Sequence, residues 1–106
     1  MFLTRVSRDI IDIDMTNWAV VKADDGLHFC GIDQTDWVNL ARVSSVVVDF
    51  DVAAKKGTTR SGRKYTLVGD AAGLQGVTLE LWQQWARMNN VPYWEDVTDQ
   101  YTSVAQ

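Results

Sequence analysis

His28 and Cys30 are the only histidine and the only cysteine in 106 residues, and they stand two positions apart. On an extended strand, side chains two apart point the same way, so a cysteine–histidine nucleophile pair is geometrically allowed. The strand rise, however, separates the two Cβ atoms by about 7 Å, loose for proton transfer. No third residue stands ready to orient the imidazole. The expectation is therefore that Cys30 is a small buried apolar residue and that His28 reaches solvent at a sheet edge. A structural zinc site would need four nitrogen or sulfur ligands, and the pair supplies two.

Carboxylates come in close pairs: Asp12 with Asp14, Asp24 with Asp25, Asp33 with Asp36, Asp49 with Asp51, and Glu95 with Asp96. Asp49 and Asp51 share one strand face, where a hard cation or acid–base chemistry is conceivable. Neither has the ligand spacing of a calcium loop. The reading is a solvated face, with no metal and no cofactor. Phosphate loops, dinucleotide fingerprints and nucleophile elbows are absent from the sequence, so no catalytic residue is assigned.

The basic residues are concentrated. Lys55, Lys56, Arg60, Arg63 and Lys64 are five of the ten Lys and Arg, and no acidic residue falls between Asp51 and Asp70. The rest of the chain holds five basic residues against fourteen acidic ones. A cationic segment on an anionic body makes a dipolar binding surface. With Tyr65 beside it, this segment could grip phosphates, because β-ribbons enter grooves and Arg forks bind phosphate bidentately. An acidic protein patch would serve equally well as target. A structural alternative is cross-strand balance against Asp49 and Asp51. Trp82, Trp85, Tyr93 and Trp94 form a second candidate patch, since Trp and Tyr anchor interfaces. The alternative puts Trp85 in the core and packs Trp82 against the 93–97 return.

The elements that must position these residues follow from periodicity. Ile11, Ile13 and Met15 alternate with Asp12 and Asp14, an extended pattern, with a short helix as competitor. Residues 18–22 and 27–32 flank Asp24-Asp25-Gly26 and predict a hairpin. Asp33, Thr35 and Asp36 can cap a short helical turn carrying Trp37, Leu40 and Ala41. From 43 to 52 a β-branched alternation predicts one long strand whose core face is Ser44, Val46, Val48, Phe50 and Val52. Lys55-Lys56-Gly57 turns the chain, and 58–68 returns. Gly62 marks a bulge, a close approach or a second turn at Ser61-Gly62. Leu74, Val77, Leu81, Trp85 and Met88 step at helical spacing, flanked by Thr78, Trp82 and Ala86, so a helix is expected over about 75–89. Asn89-Asn90 and Pro92 stop it.

The expected fold is a single α+β domain. It has a small antiparallel sheet of three to five strands in a hairpin meander, with one helix packed on one face. The expected core is Trp18, Val20, Phe29, Val46, Val48, Phe50, Leu67, Leu81 and Trp85. Composition agrees, with 46% hydrophobic and 23% charged residues, the range of ordinary globular domains. A lone cysteine offers no internal disulfide. No apolar run approaches the roughly 18 residues of a membrane span, and the first residues lack a leader pattern, so no membrane and a cytoplasmic location are expected. The tail 103–106 is expected to be disordered. Strand 27–32, if at an edge, could pair with its copy in a homodimer.

The stretch Thr58-Thr59-Arg60-Ser61-Gly62-Arg63-Lys64-Tyr65-Thr66-Leu67-Val68-Gly69 resembles a "T-x-S-G-x-x-Y-x-L-x-G" strand in small proteins of proteobacterial phages and prophages. There an alternating "S-x-V-V-x-V-D" strand precedes it, and Ser44-Ser45-Val46-Val47-Val48-Asp49 is similar. Trp82-Gln83-Gln84-Trp85, Asn90-Val91 and Trp94-Glu95-Asp96-Val97-Thr98 also resemble that group, so the likeness covers about residues 42–98. The group has no assigned activity. The resemblance implies an origin in a mobile element, and by analogy a role such as that of anti-CRISPR inhibitors, which occupy a host protein's surface. The resulting expectation is a non-enzymatic binding module that contacts a protein in the bacterial cytoplasm. Its candidate surface is Lys55, Lys56, Arg60, Arg63, Lys64, Tyr65, Trp82 and Trp94. The alternative is a nucleic-acid-binding protein using the basic 55–64 hairpin.

Overall fold

A twelve-residue strand, β1 (Asp12–Ala23), organises the molecule. The computed structural model describes residues 12–35 and 39–102. The part of the first segment before Asp12, the capping reading at Asp36 and Trp37, and the tail 103–106 lie outside the described residues. β1 turns through Asp24-Asp25 into β2 (Gly26–Asp33), and Ala23 pairs with Gly26. The tight turn is the one that the Asp-Asp-Gly sequence predicts, with Gly26 at φ 134°.

The other strands are β3 (Leu40–Val43), β4 (Val47–Asp51), β5 (Lys56–Thr59), β6 (Lys64–Leu67) and β7 (Trp94–Asp96). They form one seven-stranded sheet in the order β3-β2-β1-β6-β5-β4, with β7 on the end of β1. The fold is α+β as expected, but the sheet exceeds three to five strands. It is also not a pure meander, because β6 runs parallel to the start of β1. β2 lies between β1 and β3, so strand 27–32 is not an edge available to a second copy.

Both sides of β1 are buried, and a bulge makes this work. Ile13 and Met15 face one side. Two residues, Asn17 and Trp18, are then accommodated between the pairs Thr16↔Ile32 and Ala19↔Cys30, and Asn17 takes φ 49°. The inserted residue resets the alternation, so Trp18 and Val20 fall on the side of Ile13 and Met15. With Phe29, Tyr65, Leu67 and Val97 they form the first core. Val21, Ala23 and Cys30 face the other way and form a second core with Trp82 and Ala86.

The sheet rolls around the first core. In a flat sheet β2 and β4 would stand four spacings, about 19 Å, apart. Instead the rings of Phe29 and Phe50 have centroids 5.0 Å apart. Gly57 of β5 lies so close to Phe29 that a Cβ there would sit 2.6 Å from Cζ. The expected long strand 43–52 is accordingly two strands. Residues 44–46 break it and cross the roll, and a register shift between Val47 and Asp49 leaves Val48 60% exposed instead of buried. The return 58–68 is likewise divided by a turn at 60–63, with Gly62 at φ 92°.

α1 (Val77–Met88) covers the second core. Asn90 at φ 56° and Pro92 end it, as expected. Its buried line is Thr78, Trp82 and Ala86, one position along from the expected stripe. Val77 and Met88 are exposed, while Leu81 and Trp85 are half-buried. A 3₁₀ turn (Thr98–Tyr101) closes the chain, pinned by Asp96. The Asp96 carboxylate is partly desolvated. Hydrogen bonds from Leu74 N, Thr98 N and the Thr98 hydroxyl nevertheless hold it below the usual range.

Candidate functional surface of the second hairpin

His28 and Cys30 are both under α1, not at a sheet edge. The His28 Nδ1–H donates to the Ser44 carbonyl at 2.8 Å, and Nε2 meets Asp25 Oδ1 at 2.9 Å. The ring packs 4.9 Å from Trp85 and 5.5 Å from Trp82, centroid to centroid. The Cys30 thiol donates to the Thr78 carbonyl at 3.6 Å. Burial, with a lesser contribution from the Asp96 charge, pushes that thiol up to about 12. A thiol this hard to ionise is a poor nucleophile at neutral pH, and His28 spends both nitrogens elsewhere. The pair is a structural element of the second core. Among the described residues no three His, Cys, Asp or Glu side chains converge as metal ligands.

Trp82 is fully buried, and its ring packs on Trp85 at 5.0 Å and edge-on against Trp94 at 5.8 Å. It is an interior residue, and Trp94, half-buried against it, is a lid on the same core. Tyr65 is 2% exposed and faces the first core beside Phe29. These three of the eight candidate contact residues thus lie inward in whole or in part, and Arg63 joins them below.

The basic residues divide by position. β5 and β6 are integral to the sheet, flanked by β4 and β1, so the hairpin is not a free finger. Only its turn, 60–63, projects. On the outer face Lys56 lies directly opposite Asp51, and Lys64 directly opposite Asp12. Asp49 and Asp14 complete a shallow cleft of about 420 Å³ in which four carboxylates surround two ammonium groups. No ion pair closes there among the described residues, where the ion pairs are His28–Asp25 and Arg42–Asp33. Lys56 and Lys64 therefore balance their own sheet at long range. Lys55, at φ 59°, sits over the Trp18 ring with its nitrogen 5.9 Å from the centroid.

Arg60 is different. It is exposed at the tip, and no described carboxylate pairs with it. Its backbone is fixed, because Arg60 N donates to Val46 O at 2.8 Å. Beside it Ser61 N and the Ser61 hydroxyl engage the Ser45 hydroxyl at 3.3 and 3.2 Å. The segment 44–46 that breaks the expected long strand thus clamps the turn.

Arg63 points the other way. Lys64 is exposed on the outer face, so Arg63 and Tyr65 share the inner one, and the Arg63 Nε is fully buried with no acceptor. Arg42 faces the same side, because it pairs with Gly31, whose added Cβ would strike Met15 of the first core. Arg42 Nη1 donates to Asp33 Oδ2 at 2.7 Å, and its guanidinium lies against the Tyr65 hydroxyl. Sequence reasoning missed Arg42, and it read Asp33 as a cap or as the partner of Asp36 rather than of Arg42. Strand β3, which carries Arg42, fell where a helical turn or loop and the start of the long strand were expected. No family model, curated protein or solved structure matches this chain. No helix among the described residues is long and apolar enough to cross a membrane.

Proposed function

We propose that this chain is a small non-enzymatic binding module that docks on an acidic protein surface through the tip of its second hairpin. The observation that carries the reading is Arg60: a solvent-facing guanidinium, free of described carboxylates, on a turn whose backbone is clamped to residues 44–46. A turn whose backbone is already fixed need not be ordered on binding, so only the Arg60 side chain loses freedom. Arg is also a favoured interface anchor. Lys55 and the rim of Lys56 and Lys64 add steering, which raises association rate more than affinity. In the setting that the phage-protein resemblance implies, the partner is a host protein whose surface the module occupies, as inhibitors of host defence do.

The nucleic-acid reading fares less well on the same surface. Asp12, Asp14, Asp49 and Asp51 line the cleft that holds Lys56 and Lys64, and a phosphate backbone laid there would meet four carboxylates. Affinity purification with mass spectrometry from the native host tests the proposal. A partner bound by the full chain should be lost with Arg60→Glu, and with Lys55, Lys56, Arg60, Arg63 and Lys64 all replaced by Ala. Retention of every partner by both variants rejects the docking surface. A salt-sensitive gel shift at low ionic strength would favour the nucleic-acid reading instead.

A further inference from the structure

We infer that Arg63 and Arg42 form a receptor for a carboxylate on the inner side of β6, and that an acidic side chain of the docked protein supplies it. This inference rests on the docking reading above and names what the partner must present.

The argument begins with an orphan. Arg stays charged in proteins and its N–H groups only donate, yet the Arg63 Nε is fully buried and has no acceptor. Buried donors are nearly always satisfied, and of the two described exceptions, the Arg63 Nε and the Trp82 Nε1, only the first carries a charge that an anion would meet. The carboxylate that pairs with Arg42 is already committed. Asp33 takes Arg42 Nη1 on Oδ2 at 2.7 Å and the Thr35 N–H on Oδ1 at 2.8 Å. Among the described residues, two guanidinium groups and one carboxylate leave the cluster with one unmatched positive charge. A monoanion cancels it, whereas a phosphate dianion would overshoot against Asp33. The planar fork of Arg also matches the two oxygens of a carboxylate.

Tyr65 completes the setting. Arg63 stands two positions before it, on the same face, and Arg42 lies against its hydroxyl. Burial holds the phenol above its ordinary value although Arg42 and Arg63 pull the other way. It therefore meets a ligand as a neutral hydroxyl able to donate. The site adjoins the turn that carries Arg60, so one docking event can use both: Arg60 on the partner's surface and Arg63 beneath it.

The test uses the full ¹⁵N-labelled chain, with acetate as the probe and chloride holding ionic strength constant. The Nε–Hε signal of Arg63 should move saturably with acetate, while that of Arg60 follows ionic strength alone. Arg63→Met should keep the melting temperature at or above that of the parent, since it removes an unsatisfied donor, and should abolish the acetate response. Partner capture by that variant should weaken by about tenfold or more, the effect of deleting one side of a buried charge pair. A signal that never saturates, or that chloride reproduces, shows that the Nε is merely hydrated and overturns the inference. Saturation by inorganic phosphate in preference to acetate overturns the carboxylate assignment. The two proposals fail separately. Acetate binding with capture unaffected by Arg60→Glu rejects the docking surface alone. Loss of capture in Arg60→Glu without acetate saturation rejects the receptor alone.

Discussion

Two of the hairpins among the described residues, β1–β2 and β5–β6, put polar groups to opposite uses. In the first, β1–β2, the two rare side chains are consumed internally: both His28 nitrogens have partners, Asp25 reaches back to the ring, and the Cys30 thiol meets a helix carbonyl. In the second, β5–β6, Lys56, Arg60 and Lys64 reach solvent and Arg63 keeps an unanswered donor. A hairpin whose hydrogen bonds close on themselves is built for stability. One that leaves a buried charged donor open, as at the Arg63 Nε, carries a cost that an acceptor would offset. The first hairpin looked more chemical in sequence because it holds the rare residue types. The second is where the proposed docking falls, because Arg60 meets no described carboxylate and the Arg63 Nε has no acceptor.

The sharpest way to break this comparison is to strip the cover from the first hairpin. Trp82 is fully exposed to neither solvent nor partner. It packs on His28, Trp85 and Trp94, over Cys30 and Val21. Trp82→Ala should cost about 3–5 kcal/mol, the usual range for deleting a buried aromatic. Urea denaturation followed by circular dichroism measures it. A loss below 1 kcal/mol with weakened partner capture would return Trp82 to the contact surface.

How much of this was legible follows from where the alternation rule holds. The first hairpin and the helix's end were readable because Asp-Asp-Gly, Asn90 and Pro92 are local signals. The inward side of Ile13 and Met15 was readable because strict alternation surrounds it. The break at 44–46 was not, because Ser44-Ser45-Val46-Val47-Val48 continues the pattern while the roll interrupts the strand. Phe29–Phe50 contact and the Gly57–Phe29 approach are long-range facts with no local trace. The five cations were found as a run, but their division into balanced, tip and inner groups depends on which strands flank them. Arg42 and Asp33 lie 21 or more residues from Arg63 in sequence, and only the parallel β1–β6 pairing within the roll brings them near.

The second hairpin can be strained without touching its charges. Gly57 lets the Phe29 ring lie on the backbone of β5, and a methyl there would stand 2.6 and 2.7 Å from two ring carbons. The ring is itself held by Phe50 and Tyr65, so it cannot swing aside freely. Gly57→Ala should destabilise by about 1–3 kcal/mol, the cost of overpacking a filled core. Thermal melting checks the sign. An unchanged or raised midpoint would mean that the roll is looser than the Phe29–Gly57 contact requires.

The smallest effect separates the sheet's own cations from the binding ones. Lys56 and Lys64 stand opposite Asp51 and Asp12, without closed ion pairs, among four carboxylates. Replacing both with Gln should lower stability at low salt by roughly 0.2–1 kcal/mol, through repulsion among the remaining Asp side chains. Salt that shortens the screening length should erase the deficit. Partner capture should slow but survive, because rim charges govern encounter more than residence. Stopped-flow or surface-immobilised kinetics would then show a reduced association rate and an unchanged dissociation rate. If the double variant instead keeps full stability and loses the complex by faster dissociation, the outer face is itself the contact. The contrast between a balanced face and an open tip would then dissolve, because Lys56 and Lys64 would be holding the partner rather than their own sheet.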